Sequence, residues 1–202
     1  MANALTRHIP NTVTCLHLFS GCIACVMAFE ANYLWAAGFI MLSAVFDFFD
    51  GMLARVLNAP SPIGKELDSL ADDISFGIAP AFIAFSLFKD VHYPDFLIGL
   101  KDYIPYLAFT IAIFSALRLA NFNIDERQTS SFIGLPTPAN AIFWASFAAG
   151  AHDFLTSPTF NAIYLILLVF IFSGLLVAEI PMFSLKIKHL SWAANKIRYI
   201  FI

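Results

Sequence analysis

Long apolar runs separated by short polar breaks recur along the whole of this 202-residue chain. Most of the runs reach the length of about 20 residues that a helix needs to cross a bilayer. Pro, Asp, Asn and Ser mark the breaks between them. We therefore predict an all-α, polytopic membrane bundle that forms a single domain over residues 1–202. Its six spans are expected near residues 12–29, 33–57, 66–88, 103–122, 137–151 and 160–179, of which the fifth is short.

Composition supports a membrane protein. Hydrophobic residues make up 60% of the chain and charged residues only 12%, with a mean hydropathy of +0.79; soluble domains typically carry about 25% charge. Residues 180–202 mix basic and aromatic side chains, which is typical of a helix at the membrane surface or of a lead into further helices. We expect membrane lipid as a partner, and no nucleic acid.

The basic residues predict the orientation. With six spans, nine of the eleven Lys and Arg residues fall on the side that holds both termini, and only Lys89 and Lys101 fall on the other. Basic loops face the cytoplasm, so we expect an integral protein of the cell (inner) membrane with that side cytoplasmic. The nine residues are Arg7, Arg55, Lys65, Arg118, Arg127, Lys186, Lys188, Lys196 and Arg198.

Four carboxylates stand near the predicted cytoplasmic ends of the second and third spans. Asp47 and Asp50 are three residues apart and Asp68 and Asp72 are four apart, so each pair shares one helix face. A carboxylate inside a bilayer costs about 2.5–3.5 kcal/mol, and four of them need a counter-charge. Oxygen ligands favour Mg²⁺, Mn²⁺ or Ca²⁺, and two such ions suit phosphoryl transfer. The alternatives are a polar seam between helices and a pathway for divalent cations.

The spacing of these residues is more specific than their geometry. Residues 47–72 read Asp-x2-Asp-Gly-x2-Ala-Arg-x8-Gly-x3-Asp-x3-Asp, and this arrangement resembles the signature of the CDP-alcohol phosphatidyltransferase family. The resemblance implies six core helices, a two-metal site, release of CMP from a CDP-alcohol and assembly as a homodimer. It assigns the metals to Asp47, Asp50, Asp68 and Asp72, and makes Asp72 the general base as well. The nucleotide would be held by Gly51, Ala54, Arg55 and Gly64. Asn11 and Thr14 would either join them or cap the first helix.

Further stretches resemble the phosphatidylserine synthase branch of that family. They are PNTVT at 10–14, GKELDSLADDISFGIAP at 64–80, LRLANFN at 117–123, GLPTPAN at 134–140 and IPMFSLK at 180–186. This resemblance implies CDP-diacylglycerol and L-serine as substrates. Two positions depart from the branch, since His17 stands where an Asn is usual and Asn121 where a basic residue is usual.

Serine recognition requires a cation for the carboxylate and an acid or carbonyl for the ammonium. Arg118 and Lys65 are the cations expected near the site, and Glu66 is a spare acid. Arg118 could equally extend to the membrane surface, and His17 could either donate a hydrogen bond or pack between helices. Glycerol-3-phosphate and inositol phosphate are the alternative acceptors. They would demand a cluster of cations, of which this chain has few because position 121 is Asn.

Overall fold

Helices form nearly all of the regular structure in the computed structural model, which describes residues 8–59, 61–124 and 132–182. A π-helical segment and two 3₁₀-helices stand among the α-helices, and two strands of two residues each pair with one another. In chain order the elements are α1 (His8–Phe29), α2 (Tyr33–Val56), α3 (Pro62–Asp72), the π segment (Asp73–Ile78), α4 (Ala79–Asp90), the 3₁₀-helices (Asp95–Leu100 and Ile104–Phe109), α5 (Thr110–Ile124), β1 (Phe132–Ile133), α6 (Thr137–Gly150), α7 (His152–Leu155), α8 (Ala162–Val177) and β2 (Pro181–Met182).

Four helical stretches are long and apolar enough to cross a membrane. They are His8–Phe29, Tyr33–Val56, Pro62–Asp90 and Ile104–Ile124, and α8 is a shorter apolar helix. The chain is therefore an integral membrane protein, and the predicted helical class is confirmed. The predicted fifth and sixth spans coincide with α6, of 14 residues, and α8, of 16 residues, so a count of six spans remains a prediction.

The first two helices form a hairpin held together by small and hydroxyl-bearing residues. The buried face of α1 includes Ser20, Gly21, Ala24 and Ala28, and such residues let two helix backbones approach closely in a membrane. The Ser20 hydroxyl donates a hydrogen bond of 2.9 Å to the Phe39 carbonyl on α2. This hairpin forms one wall of the bundle.

The stretch from α3 through the π segment to α4 runs through the centre of the bundle. It packs against α1, α5 and α6, and Phe76, Ile83, Leu87 and Phe88 along it are fully buried. The third predicted span began at residue 66, but the helix begins at Pro62. Its α-helical pattern is also interrupted at residues 73–78, where the sequence alone predicted a regular helix.

Backbone hydrogen bonds join the segment before α6 to the end of α8. The Gly134 and Leu135 amides donate to the Ile180 and Leu175 carbonyls at 3.0 and 2.8 Å, beside the pairing of β1 with β2. Gly134 has φ +76°, and a Cβ there would lie 2.6 Å from the Leu176 carbonyl oxygen. Only glycine adopts this conformation without strain. The surface segment predicted for residues 180–202 lies almost entirely outside the described residues.

Candidate active site

The end of α2 and the start of α3 are joined by a short turn that places the two carboxylate pairs side by side. The Asn58 and Ala59 amides donate to the Arg55 and Ala54 carbonyls at 3.2 and 3.0 Å, which is the Schellman arrangement that ends a helix. Asn58 has φ +47°, a conformation that Asn tolerates better than most residues. The chain therefore reverses within a few residues.

Helix α3 begins at a strong N-terminal signal. The Ser61 hydroxyl accepts a hydrogen bond of 3.0 Å from the Gly64 amide, and Pro62 follows in the first turn, where its missing N–H costs nothing. This start fixes the helical phase of α3. As a result, Asp68 and Asp72 point towards α1 and α2.

Three of the four signature aspartates form a tight cluster with a histidine. One ligand atom from each of His17, Asp47, Asp68 and Asp72 lies within 4.8 Å of all the others. The Nε2 atom of His17 is 4.0 Å from Oδ1 of Asp72. Asp50 is outside this group of four, although its charge interacts with those of the other three aspartates.

The donor set of this cluster fits a divalent metal. Among the described residues, Asp50 Oδ2, Asp68 Oδ1 and Asp72 Oδ1 are buried oxygens with no hydrogen-bond partner. Buried carboxylates are normally paired or bound to metal, and neighbouring carboxylates repel one another. The family to which the signature points uses divalent metals, and the cluster can hold such an ion.

A cavity of about 220 Å³ lies beside the carboxylates. Of the six predicted nucleotide residues, five line it, and Arg55 does not. Two of the metal-assigned aspartates contribute to the same wall. The full lining is Pro10, Asn11, Thr14, Asp50, Gly51, Ala54, Ala59, Ser61, Gly64, Lys65 and Asp68.

Helix α1 closes the cavity at its N-terminal end. The Thr14 hydroxyl donates to the Pro10 carbonyl at 3.1 Å and lies beside the Asp50 carboxylate. A Cβ built on Gly64 would lie 2.8 Å from Asn11 Oδ1 and 2.9 Å from Ser61 Oγ. The wall between α1 and α3 therefore depends on the absence of a side chain at position 64.

The predicted cations occupy different places. Arg55 is exposed and donates from Nε to the Gly51 carbonyl at 2.8 Å. Lys65 lines the cavity, with Nζ 3.5 Å from the Asn123 carbonyl on α5. Arg118 is only 7% exposed and interacts electrostatically with Asp72. The interpretation that Arg118 reaches the membrane surface is therefore wrong.

The predicted acid partner of serine lies away from these groups. Glu66 is exposed and does not line the cavity. Asp73 instead has a buried oxygen, Oδ1, without a hydrogen-bond partner among the described residues. A Cβ on Gly77 would approach Asp73 Oδ1 to 2.7 Å and Ser115 Cβ to 2.9 Å. Asp73 therefore faces α5.

Several buried polar side chains near the π segment were not singled out by the sequence. Ser75, Ser115 and Asn140 have buried polar atoms without partners in the described part of the chain. Ser75 packs against Gly21 of α1. The available signal was the run Asp72-Asp73-Ile74-Ser75, since acids inside an apolar span are rare and usually functional. Single π turns in α-helices are also frequent at functional sites.

Comparison with known proteins places these features in context. Residues 7–185 match the sequence profile of the CDP-alcohol phosphatidyltransferase family. A CDP-diacylglycerol–serine O-phosphatidyltransferase from Bacillus subtilis (strain 168) is 39% identical over 132 residues, which are 65% of this chain and 70% of the relative.

Two further relatives carry the same name. The protein from Helicobacter pylori (strain ATCC 700392 / 26695) is 37% identical over 135 residues, covering 66% of this chain and 54% of the relative. The protein from Saccharomyces cerevisiae (strain ATCC 204508 / S288c) is 35% identical over 148 residues, covering 65% of this chain and 50% of the relative. The chain thus spans about half the length of these two relatives.

Proposed function

Because the chain belongs to the CDP-alcohol phosphatidyltransferase family, we propose that it transfers the phosphatidyl group of CDP-diacylglycerol to the hydroxyl of L-serine. The products are phosphatidylserine and CMP. The observation that carries the proposal is the cavity whose wall holds Asp50 and Asp68 together with five of the six nucleotide-assigned residues. The relatives' names supply the choice of serine.

The four signature aspartates would hold two divalent ions, Mg²⁺ or Mn²⁺, with Ca²⁺ as a further possible occupant. When bound, such ions neutralise the pyrophosphate and stabilise the charge that develops during phosphoryl transfer. Asp47, Asp68 and Asp72 support this assignment because their oxygens converge. Asp50 supports it from the cavity wall, where one of its oxygens has no partner in the described residues.

The nucleotide would lie in the cavity between α1, α2 and α3. Asn11 and Thr14 offer an amide and a hydroxyl from α1, and Gly51, Ala54 and Gly64 leave room for the ligand. Arg55 would turn from its contact with the Gly51 carbonyl to meet a phosphate oxygen. Arg55 is exposed, and its guanidinium lies 4.0 Å from a Cβ built on Gly51, which lines the cavity, so this movement would need only a side-chain rotation.

Asp72 would accept the proton of the acceptor hydroxyl. Its Oδ1 atom is buried and has no hydrogen-bond partner among the described residues, so one carboxylate oxygen would bind metal while the other receives the proton. As the serine oxygen bonds to the phosphorus that carries diacylglycerol, the bond from that phosphorus to the bridging oxygen breaks and CMP leaves. The serine proton passes to Asp72. Positioned bases typically contribute about 10²–10⁴-fold to such steps.

Serine would bind between the π segment and α5. Arg118 follows Ser115 by three residues on α5, so both project from one face, and the guanidinium would pair with the serine carboxylate. Lys65 would add positive charge from the cavity side, and Glu66 is the acid first expected to meet the ammonium. Asp73 is better placed for that role, because it faces Ser115 whereas Glu66 is exposed.

The orientation in the membrane is inferred from the basic residues. The site lies beside the turn between α2 and α3, near Arg55 and Lys65. Lys89 and Lys101 lie at the other end of the bundle. Basic ends face the cytoplasm, so the site would open to the cytoplasmic face of the cell (inner) membrane. We further propose six spans, with α6 and α8 as the fifth and sixth, one domain over the whole chain, and a homodimer.

Release of CMP by the purified protein tests the proposed function. With CDP-diacylglycerol and Mg²⁺ or Mn²⁺ present, we expect CMP to form with L-serine at a much higher rate than with glycerol-3-phosphate or inositol phosphate. Asp72→Asn should lower the single-turnover rate by at least about 100-fold. A higher rate with a phosphorylated acceptor would overturn serine as the substrate, and normal turnover of Asp72→Asn would overturn its role as the base.

A further inference from the structure

The buried histidine of α1 has a place in the metal cluster. We propose that the His17 imidazole supplies a nitrogen ligand to the divalent metal held by Asp47, Asp68 and Asp72, in addition to the oxygen ligands that the family signature provides. This inference rests on the metal site of the proposed function.

The burial of His17 requires a partner for its ring. The side chain is 0% exposed, and neither Nδ1 nor Nε2 has a hydrogen-bond partner in the part of the chain that the structure describes. A neutral imidazole has one donor and one acceptor nitrogen, and leaving such groups unpaired in a buried place is unfavourable. A metal ion bound to one ring nitrogen would therefore offset a large part of that cost.

The distances favour a metal over a direct hydrogen bond. His17 Nε2 lies 4.0 Å from Asp72 Oδ1, which exceeds the roughly 2.7–3.2 Å of a hydrogen bond. Two ligand atoms bound to one ion at about 2.1 Å stand at most about 4.2 Å apart. The four ligand atoms of the cluster all lie within 4.8 Å of one another, and because neighbouring ligands of one ion stand about 3 Å apart, side-chain shifts of about 1 Å would bring the set to bonding distance.

The surroundings hold the ring in this orientation. The Ser43 hydroxyl of α2 donates to the His17 carbonyl at 3.2 Å and ties the backbone at this point to the helix that carries Asp47. The Phe76 ring of the π segment lies 5.3 Å from the imidazole, centroid to centroid. Three elements therefore fix the imidazole beside the carboxylates.

A nitrogen ligand would change the preference of the site among metals. Mg²⁺ and Ca²⁺ take oxygen ligands, whereas imidazole favours transition metals. His17 should therefore raise the affinity for Mn²⁺ more than the affinity for Mg²⁺. Replacing it with Asn should weaken Mn²⁺ binding by at least about 10-fold and leave Mg²⁺ binding less affected.

Electron paramagnetic resonance of bound Mn²⁺ provides the test. We expect electron spin-echo modulation from a directly bonded ¹⁴N in the purified wild-type protein, and its replacement by a ¹⁵N signal when the histidines are labelled with ¹⁵N. The ¹⁴N signal should be absent in His17→Asn. It should persist in His152→Asn, because His152 lies against Tyr33 at the far end of α2.

The outcomes separate this inference from the proposed function. Mn²⁺ bound at the aspartates without nitrogen coupling would overturn His17 as a ligand and leave the enzyme's metal site intact. Failure of the wild type to bind Mn²⁺, together with CMP release in excess chelator, would overturn both. The isotope comparison uses the wild-type chain, so the decision stands even if His17→Asn fails to fold.

Discussion

At the scale of single residues, the nucleotide cavity depends on a missing side chain at Gly64. A Cβ there would lie 2.8 Å from Asn11 Oδ1 and 2.9 Å from Ser61 Oγ. Both atoms line the cavity, so Gly64→Ala should push Asn11 inward. Crowding of this kind costs about 1–3 kcal/mol. We expect the Kd for CDP-diacylglycerol to rise by about 10- to 100-fold, measured by isothermal titration in detergent.

The matched control is Gly38→Ala. Gly38 lies in α2, and a Cβ there would meet nothing within 4 Å. This change should leave the Kd for the liponucleotide unaltered, because it adds a methyl group to open space. Equal Kd values for Gly64→Ala and the wild type would contradict the importance of this wall.

Asp73 and Glu66 differ in position although both are acids of the central helical stretch. Asp73 faces Ser115 and Glu66 is exposed. Asp73→Asn should therefore raise the KM for serine by about 10-fold, the loss of roughly one charge-assisted hydrogen bond. Glu66→Gln should leave that KM unchanged. Steady-state kinetics with serine varied at saturating CDP-diacylglycerol measures both; the reverse pattern would place the ammonium at Glu66.

The sequence predicted the aspartates and not their neighbours, for a physical reason. Asp47, Asp50, Asp68 and Asp72 keep a helical spacing within their own segments, so their convergence follows from a single reversal of the chain. The positions of His17 and Asp73 depend instead on how α1 and α5 pack against the centre. No local pattern around either residue contains that information.

At the scale of elements, α1 and α2 were predicted within a few residues because polar breaks bound them. The third helix was placed four residues late, since the prediction followed apolar content rather than the Ser61 cap and Pro62. The π segment was missed entirely. A π turn needs its extra residue to be accommodated by neighbours, here α1, α5 and α6, and the sequence shows only the acids and serines within it.

Two helix caps allow an effect on ligand binding at the start of α3 to be distinguished from a general loss of stability. Ser61 Oγ accepts from the Gly64 amide, and Asn161 Oδ1 accepts from the Ile163 amide, each at 3.0 Å. Ser61→Ala and Asn161→Ala should each cost about 1 kcal/mol of stability. The fall in Tm should therefore be similar in the two variants. Only Ser61→Ala should also raise the KM for CDP-diacylglycerol, because Ser61 lines the cavity.

Thermal unfolding in detergent and steady-state kinetics measure both effects of the caps. A KM change of the same size in Asn161→Ala would mean that general loosening of the bundle, and not the position of α3, controls the binding of the liponucleotide.

At the scale of the whole molecule, the metal should act as a structural tie as well as a reagent. It would join α1, α2 and α3 through the cluster. A ligand that binds the folded state and not the unfolded state stabilises the fold by about 2.7 kcal/mol when its concentration is 100 times its Kd. For a chain of this size that corresponds to a rise in Tm of about 5–10 °C. We expect this rise with Mn²⁺ in the wild type and none in the double variant Asp47→Asn, Asp68→Asn.

Chelation provides the complementary measurement. Excess chelator should abolish CMP release and remove the metal-dependent rise in the wild-type Tm, and added Mg²⁺ or Mn²⁺ should restore both. An equal rise in Tm with Mn²⁺ in the two proteins would locate the stabilising metal elsewhere.

The stretch Pro62–Asp90 has a consequence for how the chain enters the bilayer. It carries two of the signature aspartates as well as Asp73, yet it is the most buried of the four candidate spans. A segment with several acids partitions poorly from the translocon into lipid by itself. We therefore expect this segment to insert after α1 and α2, which pack against its carboxylates. The α1–α2 hairpin would then assist the insertion of the helix at the centre of the bundle.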